Sequence, residues 1–288
     1  MTLREALTRA TQQLEAYPDL RTDAGRDAAF LLRHALGISP AAMLADPARP
    51  LTPEQQTVYE GMIRRRLANE PIQYITGEQE FYGLALRVTN AVLIPRPETE
   101  QLVEAVLVEV KRAGRDFGQP IRILDVGTGS GAIAIALAQH LPNARITALD
   151  LSVAALEVAV SNAARHALAD RIRCVQSDLL DGLTNGEVSY DVIVSNPPYV
   201  PISDRAGLHP QVREYEPAAA LFAGKDGLDI YRRLIPQARA ALLPNGLLAM
   251  EIGYGQKDAV VSLLRGWNEV RLVDDLQQIP RVVLARRP

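Results

Sequence analysis

Asn196-Pro197-Pro198-Tyr199 follows directly on the run Asp191-Val192-Ile193-Val194-Ser195, and no other stretch of the chain says as much about chemistry. Val192, Ile193 and Val194 read as a short buried strand between turn-formers. Two consecutive prolines then stand at its C-terminal end, with no N–H and a fixed φ. The Pro197 carbonyl is therefore presented by stiff backbone with no competing donor beside it. Asn196 adds a side-chain carbonyl acceptor, and Tyr199 adds a flat aromatic face. Two aimed acceptors beside a flat ring suit a planar NH2 group, such as a carboxamide or an exocyclic base amine. Taken alone, the tetrapeptide is also compatible with an ordinary turn, because Asn-Pro often starts one.

A second cluster has the residue types of a nucleotide pocket. Asp125-Val126-Gly127-Thr128-Gly129-Ser130-Gly131 joins an apolar strand to a helical pattern. Its glycines permit unusual dihedrals and a close approach of backbone to ligand. The helix that follows starts with free N–H groups. Asp150 ends the next strand, 23 residues after Gly127, and a carboxylate there can accept both hydroxyls of a ribose. Asp178 and Leu179 follow the third strand. Asp178 could accept a proton from an adenine amino group, and Leu179 offers an apolar wall and a backbone N–H. Gly127-x-Gly129-x-x-Ala132 also satisfies the dinucleotide fingerprint, so a nicotinamide-dependent oxidoreductase is a rival. Against that rival, no hydride-transfer partner, such as a paired His and Arg, stands near a strand end.

Four strand ends thus supply, in order, the Gly-rich loop, Asp150, Asp178 and Asn196. Open α/β sheets bind ligands at the carboxyl ends of their strands, so the elements must form such a sheet. From Arg96 onward the chain alternates helix and strand. Helices are expected over about 98–112, 132–141, 152–167, 229–242 and 257–264. Strands are expected over 121–124, 146–149, 172–175, 192–194, 247–251, 270–273 and 282–285. This alternation predicts an α/β fold with a parallel sheet covered on both faces.

Residues 1–70 read as a helical bundle. Thr2 and Glu5 have capping-box spacing, and Leu3, Leu7 and Leu14 mark an apolar stripe. A second helix spans Asp23 to Leu36, with Phe30 and Leu31 inward and Gly37 as its stop. Thr52-Pro53-Glu54-Gln55 opens a third, which runs to about Leu67. Residues 71–95 carry Pro71, Gly77, Gly83 and Pro95 among short β-like runs, including Leu84 to Val88 and Val92 to Ile94. They are expected to form a β-hairpin linker to a domain spanning 96–288.

Composition narrows the partners. The chain has 288 residues and 48% hydrophobic content, enough for a substantial core of about two domains. Its net charge of −3 does not suit a general nucleic-acid binder. Arg64-Arg65-Arg66 is its densest basic cluster and reads as the solvated face of a helix. Cys174 is the single cysteine, so no disulfide can form within the chain, as befits a reducing compartment. In Ile172-Arg173-Cys174-Val175 it reads as a small core residue. His34, His140, His166 and His209 lack metal-ligand spacing, and no metal site is expected. The N-terminus has no apolar signal core, and the run from Ala132 to Leu137 is too short to span a bilayer. A soluble, cytoplasmic protein is expected.

The Gly-rich loop, the two aspartates and Asn196-Pro197-Pro198-Tyr199 together resemble the class I S-adenosylmethionine-dependent methyltransferases, in their amino-methylating branch. More specifically, the chain resembles the bacterial protein-(glutamine-N5) methyltransferases that modify peptide chain release factors. The resemblance extends to Pro71-Ile72-Gln73-Tyr74-Ile75-Thr76-Gly77 with Phe81-Tyr82-Gly83, and to Leu93-Ile94-Pro95-Arg96-Pro97-Glu98-Thr99-Glu100. It also takes in Glu216-Pro217 with Ala220-Leu221, and Asp226-Gly227-Leu228. Nucleic-acid amino methyltransferases share the Asn-Pro-Pro-Tyr type of motif but not those flanks. The resemblance implies a Rossmann-like domain with a mostly parallel seven-stranded sheet. It implies S-adenosylmethionine as cofactor and a glutamine target in the Gly-Gly-Gln loop of class 1 release factors. It also implies an N-terminal bundle that helps recognise the release factor, with no direct binding of nucleic acid or membrane. Some relatives carry an aromatic residue where this chain has Leu179.

The expected site follows. Gly127, Thr128, Gly129, Ser130, Gly131, Asp150, Asp178, Leu179 and Asn196 face the cofactor. Asn196, Pro197, Pro198 and Tyr199 face the substrate, with Asn196, Pro197 and Tyr199 acting in catalysis. A carboxamide nitrogen is a poor nucleophile, because its lone pair is delocalised. Asn196 Oδ1 and the Pro197 carbonyl can each accept one of its N–H groups, which favours a tetrahedral, lone-pair-bearing nitrogen as methyl transfer proceeds. Tyr199 would pack on the amide plane. No strong base is needed, because the N–H becomes acidic only after the methyl arrives. Cys174 is not preceded by proline, which argues against ring-carbon methylation of cytosine. Glu216 is placed near the substrate entrance and Arg96 and Glu98 near the cofactor, with surface ion pairs and helix capping as the competing reading of all three. The alternative substrate class is adenine or cytosine in DNA or RNA, whose amino group is equally planar. It would need a basic cleft and usually a flipped base.

Overall fold

The computed structural model describes residues 1–114, 120–183, 189–275 and 277–288. The chain divides into two compact units, one of residues 1–78 with 207–215, the other of residues 79–206 with 216–288.

The first unit is helical: α1 (Leu3–Glu15), α2 (Ala24–Leu36), α3 (Pro40–Ala45), α4 (Pro53–Leu67) and α5 (Ile72–Thr76). Both capping boxes form. Thr2 and Glu5 exchange hydrogen bonds at the start of α1, and Thr52 and Gln55 do so at the start of α4. Gly37 ends α2 in the left-handed region, which a Cβ disfavours. Leu3, Leu14, Leu31, Leu32, Tyr59 and Ile63 pack its core.

Two expectations fail here. Phe30 is 40% exposed rather than inward. Leu31 and Leu32 already fill the buried stripe of α2, and the Arg33 guanidinium lies over the Phe30 ring. Arg64–Arg66 is not a uniform solvated face either. Arg66 is buried and donates through Nε to Asp27 Oδ2 at 2.8 Å, while Arg65 pairs with Glu70. A buried ion pair stands only when both partners stay, because removal of one leaves an uncompensated charge.

The segment 71–95 is only partly a hairpin. Residues Ile72–Thr76 are helical, with Gly77 as a left-handed cap. Strands β1 (Glu78–Phe81) and β2 (Leu84–Arg87) form the two-stranded sheet. Val92–Ile94 is not a strand. The Ile94 N–H goes to the Glu216 carboxylate, and Pro95 and Pro97 offer no donors.

The second unit continues with α6 (Glu100–Arg112), β3 (Ile121–Val126), α7 (Ala132–His140), β4 (Ala144–Asp150), α8 (Val153–Arg165), β5 (Ile172–Gln176) and β6 (Tyr190–Ser195). The short helix α9 (Pro210–Tyr215) belongs to the first unit. Then come α10 (Ala218–Leu221), α11 (Asp229–Ala241), β7 (Leu242–Glu251), α12 (Lys257–Leu263), β8 (Asn268–Asp274) and β9 (Pro280–Arg286). The seven-stranded sheet has the order β5-β4-β3-β6-β7-β9-β8. Its first five strands are parallel, and β9 pairs antiparallel with β7 and β8. Successive residues of a strand face opposite sides. Ile123, Val192 and Val194 accordingly pack into one core, and Leu124, Val126 and Ile193 into the other. The continuous apolar run Val192–Val194 of β6 follows from burial on both faces. Helix α7 is buried from Ala132 to Ala138. Among the described residues, no helix is long and apolar enough to cross a membrane, and no group of His, Cys, Asp and Glu could hold a metal ion.

The Asp27–Arg66 pair gives the first prediction. Asp27→Ala leaves the Arg66 charge buried and should destabilise the helical unit by about 3–5 kcal/mol, measured by urea unfolding. A loss below about 1 kcal/mol, the scale of an exposed pair, would show that the pair contributes as a surface contact does.

Candidate active site

The sheet register builds the site. Val175, Leu149, Val126, Ser195 and Met250 form one row across β5, β4, β3, β6 and β7. One residue further along each strand come Gln176, Asp150, Gly127, Asn196 and Glu251. The Gly-rich loop, the ribose-type carboxylate and the Asn-Pro-Pro turn are thus neighbours at one carboxyl edge. The strand order turns back there, because β4 and β5 lie on one side of β3 and β6 on the other. This is the switch point at which such sheets hold ligands.

A cavity of about 300 Å³ opens at this edge, within the size range of small-molecule sites. Gly127, Thr128, Gly129, Ser130, Asp150, Asp178, Leu179, Asn196, Pro197 and Pro198 line it. Gly131 and Tyr199 do not. Gly131 has φ +83°, and a Cβ there would come within 3.1 Å of Ile135 and 3.3 Å of Ala159. It serves the close packing of α7 against α8. Tyr199 turns its hydroxyl to Glu251 Oε1 at 3.3 Å, and its side chain packs against the core on one sheet face.

Several lining groups are held in place. The Asp150 carboxylate accepts the Gly129 N–H at 2.8 Å and the Ser152 N–H at 2.9 Å. A carboxylate has about four acceptor sites, so capacity for two further donors remains. Thr128 donates to Asp125 Oδ2 at 2.7 Å. Asp125 is fully buried, and that burial pushes its carboxyl up to about 7, with the Asp150 charge adding to the shift. Asp178 is exposed and gives one oxygen to Arg233 at 2.8 Å. Leu179 stands at φ +50°, a conformation that costs an ordinary side chain about 1–2 kcal/mol.

Asn196 is oriented by neighbours far away in sequence. Its Nδ2 donates to Thr99 Oγ1 at 3.0 Å, and Thr99 donates to Glu251 Oε2 at 2.6 Å. Glu251 is buried, and burial pushes its carboxyl up to about 7. The backbone of Tyr199 is clamped as well. Gln256 Nε2 donates to the Tyr199 carbonyl at 2.9 Å. Gly227 sits at φ +74°, where a Cβ would fall 2.2 Å from that same carbonyl oxygen. Only glycine permits that approach.

Residues 91–96 form part of the cavity wall. Ala91, Val92, Leu93, Pro95 and Arg96 line it, and the buried Glu216 anchors the segment through the Ile94 N–H and the Arg96 guanidinium. Arg96 and Glu216 therefore form an ion pair that is buried at Glu216, not the surface pair of the competing reading, with Arg96 also on the wall. Asn162 ties the hairpin to the Gly-rich loop, donating to Arg87 O and Ser130 O at 2.9 Å. Sequence reasoning missed Thr99, Glu251, Gln256 and Asn162 as site residues. The one available signal was Thr99, inside a segment already set apart by its pattern. Cys174 is half-buried against the core, and burial holds its thiol up at about 11, so it stays protonated.

Comparison with known proteins agrees with this geometry. The PrmC N-terminal domain family matches residues 5–77, and the methyltransferase small domain family matches residues 105–208. A release factor glutamine methyltransferase of Koribacter versatilis is 45% identical over 100% of this chain and 99% of its own. One of Deinococcus radiodurans is 41% identical over 100% of this chain and 99% of its own. Among solved structures, the hMettl16 catalytic domain in complex with MAT2A 3'UTR hairpin 6 has a TM-score of 0.56 at 18% identity, covering 80% of this chain and 81% of that one. That likeness concerns the class I methyltransferase fold alone. Full-length relatives at this identity select the methyltransferase reading over the oxidoreductase one, and the chain belongs to the release factor glutamine methyltransferase family.

Proposed function

We propose that this chain transfers the methyl group of S-adenosylmethionine to the side-chain amide nitrogen (N5) of the glutamine in the Gly-Gly-Gln loop of class 1 peptide chain release factors. The observation that carries the reading is the register Val126↔Ser195. It sets the glycine loop beside Asn196 and Pro197, so a methyl donor and a planar amide meet at one wall.

The residues present fit the cofactor. Gly127 and Gly129 have positive φ, with open space where a Cβ would stand, so backbone can approach a ligand closely. Asp150 keeps acceptor capacity for ribose hydroxyls. Leu151, Leu179 and Ile133 give the cavity apolar walls. S-adenosylmethionine, when bound there, supplies an electrophilic methyl group. Asn196 Oδ1 and the Pro197 carbonyl accept the two hydrogens of the substrate amide and hold its nitrogen in place. Such positioning can supply about 7–11 kcal/mol of barrier reduction. Transfer breaks the sulfur–methyl bond and leaves the amide nitrogen with both of its hydrogens; one is then lost to solvent and the other stays on the N-methyl amide, so the site needs no histidine or thiolate.

Residues 1–70 help to recognise the release factor, residues 71–95 link them to the rest and give Ala91, Val92, Leu93 and Pro95 to the cavity wall, and residues 96–288 carry the other site groups. The protein works in the cytoplasm, where release factors act. Arg96 is the one cation on the cavity wall among the described residues, and Glu216 neutralises it. That wall is poorly suited to a nucleic-acid backbone.

Methyl-labelled S-adenosylmethionine is offered with an intact release factor, with the factor lacking its Gly-Gly-Gln glutamine, and with duplex DNA. Label should enter the intact factor alone. Label in DNA, or in the glutamine-substituted factor, would contradict the assignment. In the same assay Asn196→Ala should lower kcat about 10²-fold, the scale of one preorganised hydrogen-bonding group, with cofactor affinity by calorimetry largely kept.

A further inference from the structure

An asparagine amide can present either its oxygen or its NH2 to a ligand, and only the oxygen can accept a substrate N–H. Something must therefore choose between the two. Thr99 ends the turn Pro97–Thr99 and is buried on the cavity wall. Its hydroxyl has one hydrogen and two lone pairs. The 2.6 Å contact to Glu251 Oε2 has the length of a hydroxyl donating to an ionised carboxylate. With that hydrogen committed, Thr99 offers Asn196 only lone pairs. Asn196 must then turn its Nδ2 to Thr99, as observed at 3.0 Å. Its Oδ1 accepts from no donor among the described residues and is left to the cavity.

We propose that Thr99 and Glu251 are positioning residues that fix the polarity of Asn196, keeping its amide hydrogens toward the protein and its oxygen toward the substrate. This proposal rests on the methyl-transfer reading above. Glu251 ends β7 and reaches the site only because Ser195 pairs with Met250. Tyr199 donates to its other oxygen at 3.3 Å, and Tyr231 donates to its backbone carbonyl at 2.9 Å. One carboxylate thus orders both polar side chains of the Asn-Pro-Pro-Tyr turn.

The charge state of Glu251 decides the polarity. Thr99, Tyr199 and Tyr231 contact it, the Glu98 charge raises its carboxyl and the Arg281 charge lowers it, and burial outweighs them all. A protonated Glu251 can donate to Thr99, which frees the Thr99 hydrogen to turn toward Asn196. The amide then flips, and its NH2 faces the substrate. Activity should fall as pH drops through about 7. In Glu251→Gln, the amide oxygen accepts from Thr99 and its NH2 faces the Tyr199 hydroxyl at every pH.

The test has a readout without substrate and one with it. In nitrogen-15-labelled protein, the Asn196 side-chain hydrogens should exchange with solvent roughly tenfold faster in Thr99→Val than in wild type, the scale of one hydrogen bond. Thr99→Ser should restore the slow exchange. With a release factor, Thr99→Val should lose roughly tenfold in kcat with the S-adenosylmethionine Kd close to wild type, and Thr99→Ser should recover it. The acid limb of kcat should be present in wild type and absent from Glu251→Gln between about pH 6 and 8. Equal exchange in wild type and Thr99→Val, or an unchanged acid limb in Glu251→Gln, would overturn the proposal. Wild-type protein that labels no release factor would instead overturn the substrate reading, and the exchange comparison still decides the relay.

Discussion

The site depends on parallel register. Four neighbouring strands, β4, β3, β6 and β7, share the row Leu149, Val126, Ser195 and Met250, and the next residue along each is Asp150, Gly127, Asn196 or Glu251. A slip by one residue would turn every side chain of a strand to the other face. It would also exchange the two cores, since Val192 and Val194 pack on one side and Ile193 on the other. Hydrophobic burial on both faces therefore fixes the chemistry at the edge. The geometry at the edge thus rests on the packing of residues such as Val192, Ile193 and Val194, which do not line the cavity.

The polar groups at that edge are costly to bury, and most of them are paired, although Asp125 Oδ1 is buried without a hydrogen-bond partner. Ser195 donates to Val126 O at 2.7 Å and joins β6 to β3 at their last shared row. Asp125 accepts Thr128, and Glu251 accepts Thr99 and Tyr199. Both carboxyls are raised toward neutrality because burial disfavours their charged forms. A low local dielectric strengthens these contacts and makes an unpaired group expensive. The same property that threatens stability gives Asn196 and Tyr199 fixed orientations. Rigid support for a polar site is what positional catalysis requires.

Local and periodic signals carried much of this into the sequence. The β6 strand announces itself because burial on both faces demands the unbroken apolar run Val192–Val194, and β3 and β4 show shorter apolar stretches between turn-formers. Thr2, Thr52 and Gly37 announce helix ends because caps act within a few residues. The Gly127 loop, Asp150 and the Asn196 turn are legible because each sits beside a strand end. Other features lie beyond local pattern. Val92–Ile94 is a short apolar run like a strand, yet the Ile94 N–H goes to Glu216, 122 residues away. Thr99 meets Glu251 across 152 residues, and no spacing rule spans that distance. Arg66 looks solvated until Asp27, 39 residues back, supplies its partner. Helices α3, α9 and α10 are too short to show a period.

The central claim is that Asn196 Oδ1 and the Pro197 carbonyl grip one planar amide. A crystal structure of this chain with S-adenosylhomocysteine and a Gly-Gly-Gln peptide tests it directly. The account predicts the glutamine amide nitrogen about 3 Å from both oxygens, with Asn196 Nδ2 still on Thr99. A bound glutamine whose nitrogen lies beyond hydrogen-bond reach of either oxygen would contradict it.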